Sequence, residues 1–355
     1  MKLVETLIVR DEADVVDAQL SYHLNAGIDF VIAADHGSVD GTTDILESYV
    51  RQGCALRIPV SGAVDEVGWR TQMARHAATE LGADWVIAAD ADEFWVPRQG
   101  AIKEILAAVP GRFGVVGGTI CHFVPRPDAG EPFFERMTVR LVQHAPINDP
   151  TSPWRPSPKI VFRADPHATV YHAGYWIEAG GRLRDLPGWR PFDVFHFPCR
   201  SVEQWARKTG RRGHAESDAP LGQYVKGLQA QEGGRIEDVY AALSVSDETL
   251  QRGIAAGSLV VDARLRDALR TTGVPSEVGQ RGGQESAFAG DSLPRGDEPP
   301  IDAAALDEAT VVRLQRRIDD AVIRVARLER RRWDGLTGRR PRRGWRRVRG
   351  RSALR

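Results

Sequence analysis

Apolar runs alternate with helical repeats along the first hundred residues. The apolar runs lack polar alternation, which is typical of strands buried on both faces, and they cover Leu3–Val9, Phe30–Ala34, Ala55–Val60 and Trp85–Ala89. The stretches between them carry apolar residues at three- and four-residue spacing and cover Asp14–Ala26, Thr42–Arg51 and Glu66–Leu81. This order predicts an α/β fold, in which a mostly parallel sheet is flanked by helices.

The pattern changes after this alternation. Aromatic residues, prolines and glycines become frequent between Phe113 and Phe197, which favours an antiparallel extension of the sheet, and Ser201–Arg212 is predicted to be helical. We divide the chain into an α/β domain over 1–215, a helical extension over 216–270, a flexible linker over 271–300, an amphipathic C-terminal helix over 301–335 and a basic, disordered tail over 336–355.

Charge and cysteine content narrow the class of protein. Lys+Arg and Asp+Glu both number 48, so the formal net charge is zero. The three cysteines are far apart and form no CxxC pair, which argues against a disulfide framework or a zinc–cysteine site and favours a reducing compartment. No apolar run approaches the ~20 residues of a membrane span. We therefore expect a cytoplasmic protein, with attachment to the inner face of the plasma membrane as a further possibility.

The C-terminal helix and tail suggest two partners. Apolar residues from Val311 to Leu328 form a short heptad seam, which predicts either a homodimeric coiled coil or a single helix folded back on the domain. The tail from Arg339 to Arg351 is rich in arginine and contains no acid, so it would be drawn to an anionic membrane surface or serve only for solubility. Nucleic acid, which the same charge attracts, is not expected as a partner.

Polar groups follow three of the predicted strands. They are Arg10-Asp11-Glu12, Asp35-His36-Gly37-Ser38 and Asp90-Ala91-Asp92-Glu93. Ligands of open α/β sheets bind beyond the carboxyl ends of the strands. We therefore expect these groups to form a carboxylate-rich cluster at one edge of the sheet.

The pair Asp90 and Asp92 is the strongest chemical signal. Two carboxylates one residue apart, directly after a buried strand, can converge on one Mn²⁺ or Mg²⁺ ion. Such an ion would neutralise a diphosphate leaving group. The alternative is a solvated loop, because Asp-x-Asp is common by chance.

A second motif runs from Asp35 to Thr42. Its glycines suit a tight turn, and Ser38 or Asp40 can cap the helix that follows. The functional interpretation adds Asp35 as an acceptor for the base or ribose of a nucleotide. The alternative is a simple connector between strand and helix.

Together these motifs resemble the family 2 glycosyltransferases and their relatives with the GT-A fold. The resemblance rests on Arg10-Asp11-Glu12, Asp35–Thr42 and Asp90–Glu93, and it covers residues 1–100 more strongly than 101–212. It implies that Asp35 contacts the nucleotide, with Arg10, Asp11, Glu12, Ser38 and Asp40 beside it, and that Asp90 and Asp92 bind the metal and diphosphate. Asp11 departs from the family, in which asparagine is usual.

Further residues resemble a subgroup related to family 92. They are Tyr22-His23 with Gly27, Asp92-Glu93-Phe94, Lys159-Ile160-Val161 and the segment from Phe195-His196-Phe197 to Lys208. The resemblance implies that Lys159 meets phosphates and that His196 is a metal ligand. From the residues alone, Lys159 could equally be a surface lysine and His196 a core histidine, while His172 competes with His196.

The resemblance also implies a mechanism. An acceptor hydroxyl would displace the nucleoside diphosphate with inversion, and a carboxylate would take the hydroxyl proton. Candidates for this base are Glu93, Glu178 and Asp185, whereas Trp95 and Trp176 are candidates for stacking on the acceptor.

The sequence thus predicts a hexosyltransferase-type glycosyltransferase. Its donor would be a UDP- or GDP-sugar, and its acceptor a saccharide or a lipid-linked glycan. The alternatives are a sugar nucleotidyltransferase, against which the acidic first loop argues, and a non-catalytic scaffold.

Overall fold

A computed structural model describes residues 1–142, 158–213 and 234–272, except for a few positions within these ranges (63, 129, 172–173, 175, 180–182, 184–185, 187–188 and 235). The predicted linker beyond residue 272, the C-terminal helix and the basic tail lie outside the described residues. The division of the chain into domains therefore stays a prediction.

The first four strands and the helices between them follow the predicted order. They are β1 (Leu3–Val9), α1 (Val16–Asn25), β2 (Phe30–Asp35), α2 (Thr42–Arg51), β3 (Ala55–Pro59), α3 (Glu66–Thr79) and β4 (Trp85–Asp90). β1, β2 and β4 are almost entirely buried, as expected of apolar runs covered on both faces, whereas the edge strand β3 is only partly buried. Asp65 caps α3 by accepting a hydrogen bond from the Gly68 N–H at 2.8 Å.

The remaining described elements extend this sheet. They are β5 (Glu93–Pro97), α4 (Ile102–Ala107), β6 (Val115–His122), α5 (Phe133–Arg136), β7 (Val139–Leu141), β8 (Pro158–Arg163), β9 (Thr169–Tyr171), β10 (Trp176–Glu178), β11 (Phe192–His196), α6 (Val202–Gly213), α7 (Ile236–Leu243), α8 (Asp247–Ala255), β12 (Leu259–Val261) and α9 (Arg264–Thr272). The predicted helix at 201–212 is therefore confirmed.

The main sheet has eight strands in the order β3-β2-β1-β4-β8-β6-β11-β5. β8 is antiparallel to its neighbours β4 and β6, and β5 is antiparallel to β11. The predicted antiparallel extension is only partly correct, because β6 and β11 pair in parallel. Two small antiparallel sheets, β9-β10 and β7-β12, complete the described part. The predicted α/β fold class, a mostly parallel sheet with helices on its faces, is confirmed.

The turn between β4 and β5 forces the sheet to curl. Only Ala91 and Asp92 separate the end of β4 from the start of β5, although β8, β6 and β11 lie between the two strands in the sheet. In a flat sheet the two strands would be about 19 Å apart. Because the chain from Asp90 to Glu93 reaches at most about 11 Å, the sheet must curl to bring β5 back towards β4.

A buried polar group attaches α1 to the edge strand β5. His23 and Glu5 are fully buried, and His23 Nδ1 lies 3.0 Å from both carboxylate oxygens of Glu5. His23 Nε2 accepts a hydrogen bond from the Trp95 backbone N–H at 2.8 Å. The imidazole therefore carries its proton on Nδ1, and it satisfies a backbone donor of a strand that begins at the Asp90–Glu93 turn.

Gly174 lies directly against β4. Its φ is +81°, and a Cβ there would lie 2.7 Å from the Cβ of Ala88 and 2.8 Å from its carbonyl oxygen. Only glycine fits such an approach. This contact places the chain just before β10 over the end of β4 that leads to Asp90.

Candidate active site

Three parallel strands deliver the predicted polar groups to one edge of the sheet. Val9 is opposite Asp35 in the β1–β2 pair, and Ile8 is opposite Asp90 in the β1–β4 pair. The segments that follow these strands therefore start side by side. The structure brings the three groups together at this edge.

Asp90 is held by two buried cations. The guanidinium of Arg70 forms an ion pair with Oδ1, and Lys159 Nζ lies 3.0 Å from Oδ2. Burial alone would raise the pKa of Asp90, but the charges of Lys159 and Arg70 hold it well below its usual range. Asp90 is thus an ionised carboxylate whose side chain stays partly open to solvent.

Lys159 is completely buried, so the interpretation of this residue as a surface lysine is wrong. Its ammonium lies 3.0 Å from Glu93 Oε2 as well as from Asp90 Oδ2. A buried ammonium is stable only when it is paired. Lys159 therefore neutralises the interior side of the Asp90–Glu93 turn.

Glu93 is directed into the turn. It is buried, and its Oε2 accepts a hydrogen bond from the Asp90 N–H at 3.1 Å. Burial raises the pKa of Glu93 to about 7, although Lys159 acts in the opposite direction. These contacts assign Glu93 to holding the turn, and its candidacy as the proton acceptor receives no geometric support.

The raised pKa of Glu93 predicts a distinct pH dependence. The folded protein keeps the proton up to about pH 7, whereas the unfolded chain loses it near its ordinary value of 4.5. The proton then contributes stability that is fully present below pH 4.5 and is lost as the pH rises to about 7. Glu93→Gln keeps the neutral shape and cannot lose this proton. Between pH 4.5 and about 7, the free energy of unfolding of the wild type should therefore fall by up to about 3 kcal/mol more than that of the variant.

This comparison requires urea unfolding in the presence of a chelator, at pH 5 and pH 7, for the wild type and the variant. Glu104→Gln, at a carboxylate that accepts the Ala101 N–H at 2.9 Å on an exposed helix start, is the matched control. Equal pH dependence in wild type and Glu93→Gln would contradict the assignment.

Asp92 has a different set of partners. It is buried, and its Oδ2 forms an ion pair with Lys208 and lies 3.8 Å from Arg200 Nη1. Burial would raise the pKa of Asp92, but Lys208, His196 and Arg200 hold it well below its usual range. The Asp92 carbonyl accepts a hydrogen bond from the Phe197 N–H at 3.0 Å, which joins the turn to the segment after β11.

His196 lies on the other side of Asp92. Its Nε2 is 3.6 Å from Asp92 Oδ1, and its Nδ1 is 2.9 Å from Nδ1 of His122. To bind a metal, Nε2 has to present a lone pair, and His196 would then keep its proton on Nδ1, from which His122 Nδ1 can accept a hydrogen bond. The partner of the other ring nitrogen commonly fixes the tautomer of a ligating histidine in this way.

Arg200 connects this turn to the loop after β1. Its guanidinium is almost fully buried and pairs with Glu12 and with Asp14, whose Oδ2 is 2.6 Å from Nε. The Arg200 Nη1–H also donates to the Phe197 carbonyl at 2.9 Å. Because both ends of this fork are occupied, Arg200 is fixed in one position.

The loops after β1 and β2 are bonded to each other. Asp11 has a φ of +51°, donates its N–H to Ser38 Oγ at 3.0 Å and accepts the Val39 N–H at 2.6 Å. Asp40 accepts from the N–H groups of Ala13 and Thr42, each at 3.1 Å. Asp40, and not Ser38, therefore supplies the acceptor at the start of α2.

Asp35 is also bound within the protein. Its carboxylate accepts the Ser38 N–H at 3.0 Å and the Thr43 hydroxyl at 2.6 Å. Burial would raise the pKa of Asp35, but these hydrogen bonds and the charge of Arg57 hold it below its usual value. Arg10 lies beside this loop, with Nη1 3.4 Å from His36 Nδ1.

The remaining candidates are Glu178, Asp185, His172, Trp176 and Trp95. Glu178 is exposed in β10, where it accepts a hydrogen bond from the Tyr171 hydroxyl at 3.1 Å. Asp185 and His172 lie outside the described residues, as does the side chain of Trp176. Trp95 is completely buried and packs edge-on against Phe192, so its assignment to acceptor stacking is wrong.

Sequence reasoning missed three residues of this site, namely Arg70, His122 and Arg200. Arg70 shares the buried face of α3 with Met73, Ala74 and Ala77, and an arginine on an apolar helix face is a signal of a buried ion pair. His122 is the last residue of β6, so the expectation that ligands bind at the carboxyl ends of strands could have identified it. Arg200 follows Pro198 and Cys199 and carries no comparable signal.

The donor atoms of Asp92 and His196 suit a divalent cation. Asp92 Oδ1 and His196 Nε2 are close enough to share an ion, and Asp90 lies in the same turn. Within the described ranges, no group of three or more His, Cys, Asp or Glu side chains is arranged to hold a metal ion. Mn²⁺ and Mg²⁺ commonly take one or two protein carboxylates and complete their coordination with phosphates and water. The residues therefore fit a cation that binds together with a diphosphate.

Membrane-spanning helices are not found in the described part of the chain, where every helix is too short or too polar to cross a bilayer.

Comparison with known proteins finds matches that each cover only part of this chain. No protein-family profile matches the chain. The ribosomal RNA small subunit methyltransferase A of Rhodopseudomonas palustris, from strains TIE-1 and ATCC BAA-98 / CGA009, is 29% identical over 145 residues. This match covers 37% of this chain and 47% of those proteins. The chain therefore spans about half the length of the curated relatives it matches.

Among solved structures, the chain is similar to S. aureus TarS 1-349 in complex with UDP, at a TM-score of 0.33 and 13% identity, over 77% of this chain and 90% of that one. A longer TarS structure is matched over 43% of its length. GalNAc-T7 with UDP, GalNAc and Mn²⁺ gives a TM-score of 0.35 and 10% identity, over 68% of this chain and 58% of that one. Likenesses of this degree do not assign an activity, which has to be inferred from the side chains of the site.

Proposed function

We propose that this chain is a glycosyltransferase that uses a nucleotide-sugar donor together with Mn²⁺ or Mg²⁺. The observation that carries the proposal is the pairing of Asp92 with His196 beside Asp90, at the carboxyl edge of a mostly parallel sheet, amid buried and half-buried cations. Carboxylates alone would repel a diphosphate. The combination of carboxylates for a metal with Lys208 for phosphate charge suits an anionic, metal-bound ligand.

Each group has a proposed role. Asp90, Asp92 and His196 would hold the cation, which when bound would neutralise charge on the departing diphosphate. Asp35 and Asp11, with Ser38 and Asp40, would keep the loop after β2 in the shape that accepts the base and ribose, with Arg10 and Glu12 beside it. Lys159 would act through Asp90 and Glu93, because its ammonium is buried against both.

Further details of the reaction follow the same proposal. The transfer would be inverting, and Glu178 and Asp185 remain the candidates for the base that takes the acceptor proton. UDP- and GDP-sugars are the proposed donors, and a saccharide or a lipid-linked glycan is the proposed acceptor. Homodimerisation through 301–335 and attachment of the basic tail to an anionic membrane are proposals on residues outside the described part.

Donor binding tests the proposal directly. In isothermal titration calorimetry, UDP or GDP should bind in the presence of Mn²⁺ and bind at least about tenfold more weakly with chelator, because the ion would bridge protein and diphosphate. Thermal shifts with a panel of nucleotide sugars should then identify the donor, since a ligand of the native state raises its stability. Release of pyrophosphate instead of a nucleoside diphosphate would favour a nucleotidyltransferase. Absence of any nucleotide binding would favour a scaffold.

A further inference from the structure

Lys208 compensates the charge of the proposed metal site from within the protein. It belongs to α6, and its ammonium forms an ion pair with Asp92 Oδ2 and lies 3.6 Å from Glu12 Oε1. Asp92 is almost fully buried, so its charge requires a close counter-ion whenever no metal is present. Lys208 supplies that counter-ion.

The two cations beside Asp92 differ in their freedom to move. Arg200 is fixed by Glu12, Asp14 and the Phe197 carbonyl, and its side chain is 1% exposed. Lys208 is 16% exposed and carries its charge at the end of a flexible four-carbon chain. If one cation leaves Asp92, it is Lys208.

An incoming divalent ion would meet this ammonium. A cation shared by Asp92 and His196 would lie within a few ångströms of Lys208 Nζ, and like charges at that range repel strongly in a partly buried site. A bound diphosphate relieves the conflict, because its oxygens offer Lys208 another anionic partner. Metal and diphosphate would then strengthen each other's binding, and thermodynamic linkage makes this coupling reciprocal.

We propose that Lys208 is an exchangeable counter-ion that moves from Asp92 to the diphosphate of the donor and thereby makes metal binding depend on the nucleotide. This inference rests on the proposed function and adds a role that the proposal by itself does not require. It predicts that the wild-type protein binds Mn²⁺ weakly alone and more tightly with UDP or GDP.

Lys208→Gln provides the test, with Mn²⁺ affinity measured by electron paramagnetic resonance and UDP or GDP affinity by calorimetry. The variant should bind Mn²⁺ alone about tenfold more tightly, because the repelling charge is gone. In the presence of Mn²⁺, it should bind the nucleotide about tenfold more weakly, because a phosphate partner is lost. Lys208→Arg keeps the charge and should stay within about twofold of the wild type for Mn²⁺ alone. Lys103→Gln, at a surface pair with Asp29, is the matched control.

If Lys208→Gln does not fold, the proposal can still be tested on the wild-type protein. In the wild type, acetylation of Lys208, followed by mass spectrometry, should increase when Mn²⁺ is added and decrease when the nucleotide follows. Unchanged acetylation would overturn the proposal, and so would Mn²⁺ binding to a folded Lys208→Gln that is no tighter than in the wild type. If neither protein binds Mn²⁺ with or without a nucleotide, the proposed function fails as well. If only the Lys208 effects are missing, the proposed function stands without this inference.

Discussion

Asp92→Asn is expected to reduce metal-dependent turnover of the nucleotide sugar by about 1,000-fold or more. The substitution keeps the shape of the side chain but removes the charge that would share the cation with His196, whose Nε2 is 3.6 Å away. A metal contributes several kcal/mol to the stabilisation of a leaving diphosphate, and about 4 kcal/mol corresponds to this factor. Turnover should be measured as release of nucleoside diphosphate, with Mn²⁺ affinity determined on the same preparation.

Folding of the Asp92→Asn variant has to be verified separately, because the change leaves Lys208 and Arg200 with one carboxylate fewer. Asp29→Asn removes a carboxylate that pairs with Lys103 at the surface and should leave turnover unchanged. Turnover of a folded Asp92→Asn within about tenfold of the wild type, with its metal dependence retained, would contradict the assigned site.

Arg200→Met is expected to produce the largest loss of stability, about 3–5 kcal/mol. The guanidinium is almost fully buried and pairs with Glu12 and Asp14 while it lies beside Asp92. Methionine fills part of the space but leaves these carboxylates without the cation that compensates them. The midpoint of urea unfolding should fall, with the slope of the transition unchanged.

Arg98→Met separates this effect from the general loss of an arginine. Arg98 also pairs with a carboxylate, Asp193 at 2.9 Å, but its side chain is 42% exposed. Ion pairs in such positions contribute less than about 1 kcal/mol. Similar midpoint shifts in the two variants would show that Arg200 does not compensate the buried acids.

The first half of the fold follows from local pattern. β1, β2 and β4 are almost entirely buried and consist mostly of apolar residues, and α2 begins and ends at the predicted residues Thr42 and Arg51. The parallel order of these strands then places Asp35 and Asp90 at a common edge. Local pattern is sufficient here because each of these strands is marked by its own apolar run, and β1 pairs in parallel with both β2 and β4.

The cations of the site could not be predicted in the same way. Arg200 pairs with Asp14, and Lys159 with Asp90, across long separations in the chain. An ion pair between remote residues leaves no periodicity in either segment. Likewise, the sequence does not show whether an aromatic residue such as Trp95 faces the interior or a ligand. Trp95 is buried because β11 packs against β5.

The curl of the sheet has a consequence for the order in which the protein assembles. β5 follows the acidic turn immediately, yet its partner in the main sheet is β11, and Phe94 is opposite Phe195. Pairings between segments distant in sequence form late, because a long loop has to close first. During synthesis, β1 to β4 can associate soon after they leave the ribosome, whereas Asp92 gains its neighbours only once residues 192–208 have emerged. The surroundings of Asp92 are therefore completed after the strands β1 to β4 have associated.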